Sequence, residues 1–338
     1  MKCNFLKKLF LISTIVVSFF TYSTVNPTQA ERTTLGHKFL LTDIVDTGEH
    51  FVAVGERGHI VYSVDGLNWQ QAVVPVNILL TSVAFKDDNT GFAVGHDASI
   101  LKTVDGGKVW SIVQYAPELD KPFLSVLANE TIIIAVGAYG MFMSSEDGGD
   151  NWTTSFHDEL LLEEDKLFLE DIKQYEPESY EFERLYMLPH FNNINFISGK
   201  YYLAGEAGFA ASSFDGVNWQ RMQPDYLGSF FSISGNSTKL HLAGLRGTLL
   251  ESDNAGDSWV PIDTAQPATI NSTITFGETK LFLANSGNVF IQQDNKDLSH
   301  FVFEDGKAVM SGVFKDEHLV LATESGIKRV HLNQMIQK

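Results

Sequence analysis

The chain has 338 residues, with 24 basic against 42 acidic side chains and a formal net charge of −18. So acidic a molecule repels phosphate backbones and anionic lipid surfaces, so neither nucleic-acid binding nor direct lipid binding is expected. The only cysteine is Cys3, inside the leader described next, so disulfides are not expected to hold the fold together.

Residues 1–30 read as a cleavable signal peptide. Lys2, Lys7 and Lys8 precede an apolar run over residues 9–20, and Pro27-Thr-Gln-Ala30 offers a small residue for cleavage after Ala30. The run is short for a membrane span, and an uncleaved anchor is the alternative fate. Cleavage leaves 21 basic and 42 acidic residues, a charge of −21, and implies a periplasmic or secreted protein.

The mature chain, residues 31–338, is one domain built on a repeat. Its first unit runs from an aliphatic strand ending at Gly55, through a short polar link, into Ser63-Val-Asp65-Gly66-Leu-Asn-Trp69. In such a box the Asp accepts hydrogen bonds from backbone amides further along a tight turn. Glycine supplies the positive φ, and Trp offers an apolar plate to a neighbouring sheet. The box recurs with Thr103, Asp105 and Trp110; Ser145, Asp147 and Trp152; Ser213, Asp215 and Trp219; and Ser252, Asn254 and Trp259. Strand ends fall at Gly55, Gly95, Gly137, Gly205 and Gly244, and the series continues at Asn285 and Thr323, spaced 40, 42, 68, 39, 41 and 38 apart. A period near 40 with about four short strands per unit predicts a β-propeller, here of seven blades, with the box on the turn between the third and fourth strands.

Counting back from the seven strand ends reaches Asp43, Ser82, Ser125, Asn193, Ser232, Thr273 and Ser311, all small and polar. They read as the axial residues of converging blades, or alternatively as a polar ligand channel. The seventh unit lacks a box, and residues 31–35 stand where a fourth strand would precede the first unit. This predicts that an N-terminal strand completes the last blade and closes the ring, removing free edges.

One irregularity interrupts the period, at residues 157–189 between blades 3 and 4. Leu161, Phe168 and Ile172 recur at helical spacing, which predicts an amphipathic helix over residues 159–172 followed by a Tyr- and Glu-rich loop. The segment is either a docked ornament or a lid and partner-docking element. It joins a fourth strand to a first, so it rises from the face opposite the boxes. The tips between second and third strands share that face, and loops on a rigid scaffold are where binding usually resides. They carry Glu56-Arg57, His96-Asp97, Ala138-Tyr139, Glu206-Ala207, Leu245-Arg246, Ser286-Gly287 and Glu324-Ser325.

With its boxes in place the chain resembles the Asp-box (BNR) propellers, a fold shared by hydrolases and non-enzymatic assembly factors. Within these it resembles the photosystem II stability/assembly-factor-like group. The likeness rests on the leader, on seven compact blades, and on "AVGERGHIVYSVDGLNW" and "AVGHDASILKTVDGGKVW" in the first two units. Blade 6 ("LANSGNVFIQQDNKDLSHF") departs from that pattern. The resemblance implies binding to a subunit of a membrane complex, with propeller arginines contributing, and Arg57 and Arg246, each in a G-x-R-G loop, are the positions that match. Tyr139, His96 and Glu206 complete the candidate partner-binding rim.

A secreted glycoside hydrolase is the rival reading, since Glu56, Asp97, Glu206 and Glu324 lie on the tip face, though nothing pairs them. A sialidase needs three convergent arginines, and the six arginines here are dispersed. No metal or cofactor is expected, because the histidines show no ligand spacing. The sequence thus reads as an exported, monomeric, non-enzymatic propeller that binds a protein partner.

Overall fold

The computed structural model describes residues 27–293 and 296–336. The leader through residue 26 and Cys3 lie outside the described residues. Within them, the strands form seven antiparallel sheets with neighbours in chain order, six of four strands and one of three. The first strand of each sheet packs against the first strand of the next, and the seventh returns to the first, so these strands line the axis of a seven-bladed β-propeller.

Blade 1 shows why the sequence builds this unit. Its strands are Leu41–Asp46, Phe51–Gly55, Ile60–Ser63 and Gln70–Gln71. The second is buried along its whole length because a neighbouring blade covers each sheet face, which is why it reads as a continuous aliphatic run. It ends on glycine because a Cβ at Gly55 would lie 2.0 Å from the Leu40 carbonyl oxygen. A bulge between Leu41 and Asp43 re-aims the inner strand, and the same irregularity recurs in every blade.

That register corrects the repeat in blade 6. Ile270 pairs with Ala284 and Ser272 with Leu283, as Leu41 does with Gly55 and Asp43 with Val54. By register Ala284 is therefore the strand end in place of Asn285, and Ser272 stands where Asp43 does, while Thr273 still reaches the axial belt with its hydroxyl 3.1 Å from that of Ser232 in blade 5. Asn285 belongs to the tip, Asn285–Gly287, whose left-handed residue is Ser286.

The axial residues form a belt of hydrogen bonds between blades. Asp43 accepts from the hydroxyls of Ser311 (2.7 Å) and Ser82 (2.9 Å) and from the Val83 amide, tying blades 7, 1 and 2 together. Ser82, Ser125 and Asn193 each accept from a backbone amide of the following blade. Burial raises the Asp43 carboxyl above its ordinary range, against four hydrogen bonds that favour the charged form.

Ring closure differs from the expectation. Residues 31–35 form no strand, and the seventh sheet keeps three strands. Instead, the Gln71 side chain clamps this segment to the outer edge of blade 1: its amide donates to the Glu31 carbonyl (2.9 Å) and accepts from the Thr33 amide (2.6 Å). Ala30 sits in the core between blades 1 and 2, with its N–H on the Val74 carbonyl, which fixes the segment there. Blade 7 is closed from within by Asp43, by the Lys315–Asp46 ion pair (2.9 Å), and by Val320 and Ala322 packed against Leu41, Ile44 and Val61. Its outer side is covered in part by a short helix, Asn333–Ile336, whose Met335 is buried beside Phe303 and Leu319.

The insertion is two helices, α1 (Glu163–Tyr175) and α2 (Tyr180–Arg184). The helix starts later than expected, a second helix replaces part of the expected loop, and the buried stripe is rotated. Leu169 is buried in the cluster between blades 3 and 4, whereas Phe168 faces solvent. Leu160 and Leu161, just ahead of α1, already fill that cluster and set the angle at which the helix leaves it.

Candidate partner-binding face

The boxes fold as their residues require. In blade 2 the Thr103 hydroxyl donates to Asp105 Oδ1 (2.9 Å), which also accepts from the Lys108 and Val109 amides. Asp65, Asp147 and Asp215 make the same circuit and are held below the ordinary carboxylate range, chiefly by the backbone amides of Asn68, Asn151 and Asn218. Each box leans on the preceding blade: Trp152 meets the Phe92 ring edge-on at 5.9 Å, and Trp219 meets Phe142 at 5.9 Å. A Cβ on Gly149 (φ +84) would come within 2.3 Å of Phe92, so glycine there serves both the turn and the blade contact. The polar groups of a box are thus used mainly within its own hairpin or against the preceding blade, where the Gly106 carbonyl meets the His50 ring (2.6 Å) and Asp150 the Lys102 ammonium (2.6 Å).

The opposite face is built differently. At each tip of blades 1 to 6 a residue other than glycine occupies the left-handed region: Arg57, Asp97, Tyr139, Ala207, Arg246 and Ser286, with φ between 52 and 57°. This conformation costs an L-residue roughly 1 kcal/mol or more. The scaffold fixes it because the following residue slides under the incoming chain, as at Gly58, where a Cβ would lie 2.0 Å from the Val76 carbonyl oxygen.

Arg57 and Arg246 are exposed, and neither makes an ion pair with any described residue. The Arg57 guanidinium lies 6.0 Å from the centre of the Phe39 ring. Arg246 borders an open cleft of about 440 Å³ with Tyr226, Thr264 and Pro267. Blades 6 and 7 separate the two arginines around the ring, so a partner touching both must extend across the face.

Tyr139 and Glu206 are brought together through a residue the sequence did not single out. His190 Nδ1 lies 3.5 Å from a Glu206 carboxylate oxygen, and its ring meets Tyr139 edge-on at 4.5 Å. His96 stands alone, exposed on blade 2, with its N–H bonded to the Leu79 carbonyl. The insertion folds onto Tyr139: Tyr186 meets it at 5.0 Å, and the buried Lys121 ammonium donates to the Leu185 carbonyl (2.8 Å) while lying 4.0 Å from the Tyr186 ring centre. Burial lowers the Lys121 pKa. His190 and Lys121 each belong to one unit only, so the repeat gave no signal for them.

The four tip carboxylates each have a separate partner. Glu56 accepts the Leu40 amide, Glu206 pairs with His190, Glu324 pairs with Lys307 (3.0 Å), and Asp97 holds Tyr115. Each is engaged in a different blade. Among the described residues no group of three His, Cys, Asp or Glu is arranged to hold a metal ion, and no helix is long and apolar enough to cross a membrane.

Fold and boxes together define a seven-bladed Asp-box propeller. Residues 47–165, spanning blades 1 to 3 and the start of the insertion, match the family described as photosynthesis system II assembly factor YCF48. Beyond those residues the likeness is one of fold, shared with solved propellers over about nine-tenths of the chain. The chain superposes on a structure of YCF48 bound to a D1 peptide with a TM-score of 0.65 at 15% identity, covering 90% of this chain and 99% of that one. YCF48 from Cyanidioschyzon merolae gives 0.64 at 17% identity, covering 91% and 99%. The computationally designed Ika8 protein gives 0.59 at 11% identity, covering 90% and 99%, so the fold alone extends beyond assembly factors. Among curated proteins none matches significantly.

Proposed function

We propose that this protein is an exported, non-enzymatic assembly factor that holds an extended segment of a membrane-complex subunit on its tip face. The observation that carries the reading is the pair Arg57 and Arg246: exposed, free of carboxylate partners among the described residues, and kept in a molecule of net charge −18. Guanidinium groups so placed suit carboxylate-bearing side chains or a chain terminus. The YCF48-type sequence of residues 47–165 and the D1 peptide bound to a similar propeller support a peptide segment as the ligand class. Export follows from the leader and is read by N-terminal sequencing of the protein recovered from cells.

The test is capture of solubilised native membrane proteins by the unchanged protein and by the Arg57→Ala, Arg246→Ala double variant. Capture of the partner should weaken at least tenfold, about 1.4 kcal/mol, with melting nearly unchanged. Recovery of the same proteins in the same yield removes the arginines from the site.

A further inference from the structure

The surface above the insertion has a chemistry opposite to that of the arginine tips. Phe182, Leu185, Tyr186 and Tyr139 are 64, 50, 44 and 39% exposed. They form one patch: Phe182 meets Tyr186 at 5.2 Å, and Tyr186 meets Tyr139 at 5.0 Å. The patch is fixed from below. Lys121 ties the Leu185 carbonyl and both tyrosine rings to the link before blade 3, and Tyr139 is locked at its left-handed tip. Rigid exposed aromatics with few rotamers to lose are the residues that anchor interfaces.

The electrostatics of this element select the partner. Residues 157–189 hold 11 acidic and 3 basic side chains. Arg184 is taken by Asp158 and Glu181, and Lys166 by Glu163, while Glu176 and Glu178, just ahead of α2, are exposed. An apolar platform on so negative an element repels anionic membrane and repels a second copy of itself. It attracts a segment that places apolar side chains on the rings and lysines or arginines against the carboxylates, where the ring faces also favour cations.

We propose that the insertion is a second docking surface, for a basic amphipathic protein segment, centred on Phe182, Leu185, Tyr186 and Tyr139. It lies on the same face as Arg57 and Arg246 but takes ligands of the opposite sign, and it stands whether or not the arginines bind an acidic segment.

The experiment uses the full-length protein and two short synthetic peptides, one alternating leucine and lysine and the other leucine and glutamate, followed by fluorescence anisotropy at two salt concentrations. The lysine peptide should bind and the glutamate peptide should not. Phe182→Ser with Leu185→Ser should weaken lysine-peptide binding at least tenfold. Both side chains are exposed and uncharged, so melting and net charge stay the same. Glu178→Lys should weaken binding too, whereas Arg57→Ala with Arg246→Ala should not. Equal binding by the serine variant overturns the proposal, because attraction to net charge alone survives that change. So does equal binding of the glutamate peptide. Adsorption to phosphatidylglycerol vesicles, or a dimer in sedimentation, that depends on Phe182 and Leu185 would also overturn it by assigning the patch to membrane or to a second copy.

Discussion

On the box face, five blades repeat one circuit in which a Ser or Thr hydroxyl, an Asp or Asn side chain and the turn amides satisfy one another. On the tip face, the matching left-handed position carries Arg57, Asp97, Tyr139, Ala207, Arg246 and Ser286 in turn. The first face is uniform because its residues answer to the hairpin and to the blade behind it. The second varies because the hairpin there needs only a left-handed backbone and leaves the side chain free. Box substitutions should therefore change stability and leave binding alone, and tip substitutions should do the reverse.

The largest effect expected is at Trp110, buried against blade 1 with its indole N–H on the Gly107 carbonyl (2.9 Å). Trp110→Ala should cost about 3–5 kcal/mol in chemical denaturation. Partner affinity of the folded fraction should be unchanged, and a selective loss of binding would put function on the box face. Next is the axial belt. Asp43→Ala leaves the Ser82 and Ser311 hydroxyls and the Val83 amide without an acceptor, at a cost of about 3 kcal/mol. A milder loss would mean that the Lys315–Asp46 pair and the apolar contacts close the ring by themselves.

Asp105→Ala should cost about 1 kcal/mol, since its partners face solvent in part. The box aspartates also set an acid limit. Their folded pKa values are depressed, so their contribution is full above the unfolded value of about 3.9 and is lost as pH falls through the folded values. Asp43, with its raised pKa, runs the other way and becomes easier to bury as pH falls. His241 acts at higher pH. Burial pushes it down to about 4, so stability should decline as pH falls from about 6.5 toward that value. Thermal melts of His241→Gln across this window should be flatter than those of the unchanged protein.

The smallest stability effects belong to the tips. Arg57→Gly and Arg246→Gly should leave melting within about 1 kcal/mol of the parent, because glycine relieves the left-handed strain while loosening the unfolded chain. A large destabilisation would make the arginines structural and erase the contrast between the faces.

The sequence determined the blade count, the boxes and the face on which the tips lie, because each rests on local chemistry: a turn that needs Asp and Gly, a strand covered on both faces, and a fixed period. It misplaced blade 6 by one residue because Ala284 and Asn285 both end an aliphatic run, and only the pairing of Ile270 with Ala284 separates them. It could not locate the closure either. Residues 31–35 have the right spacing for a last-blade strand, but Gln71 and the buried Ala30 hold that segment on blade 1. His190 bridging Tyr139 and Glu206, and Lys121 beneath Tyr186, are contacts between residues 16 to 65 positions apart that no other unit repeats. A repeat reveals what every unit shares, whereas a binding surface depends on side chains from different units that meet only when the ring closes.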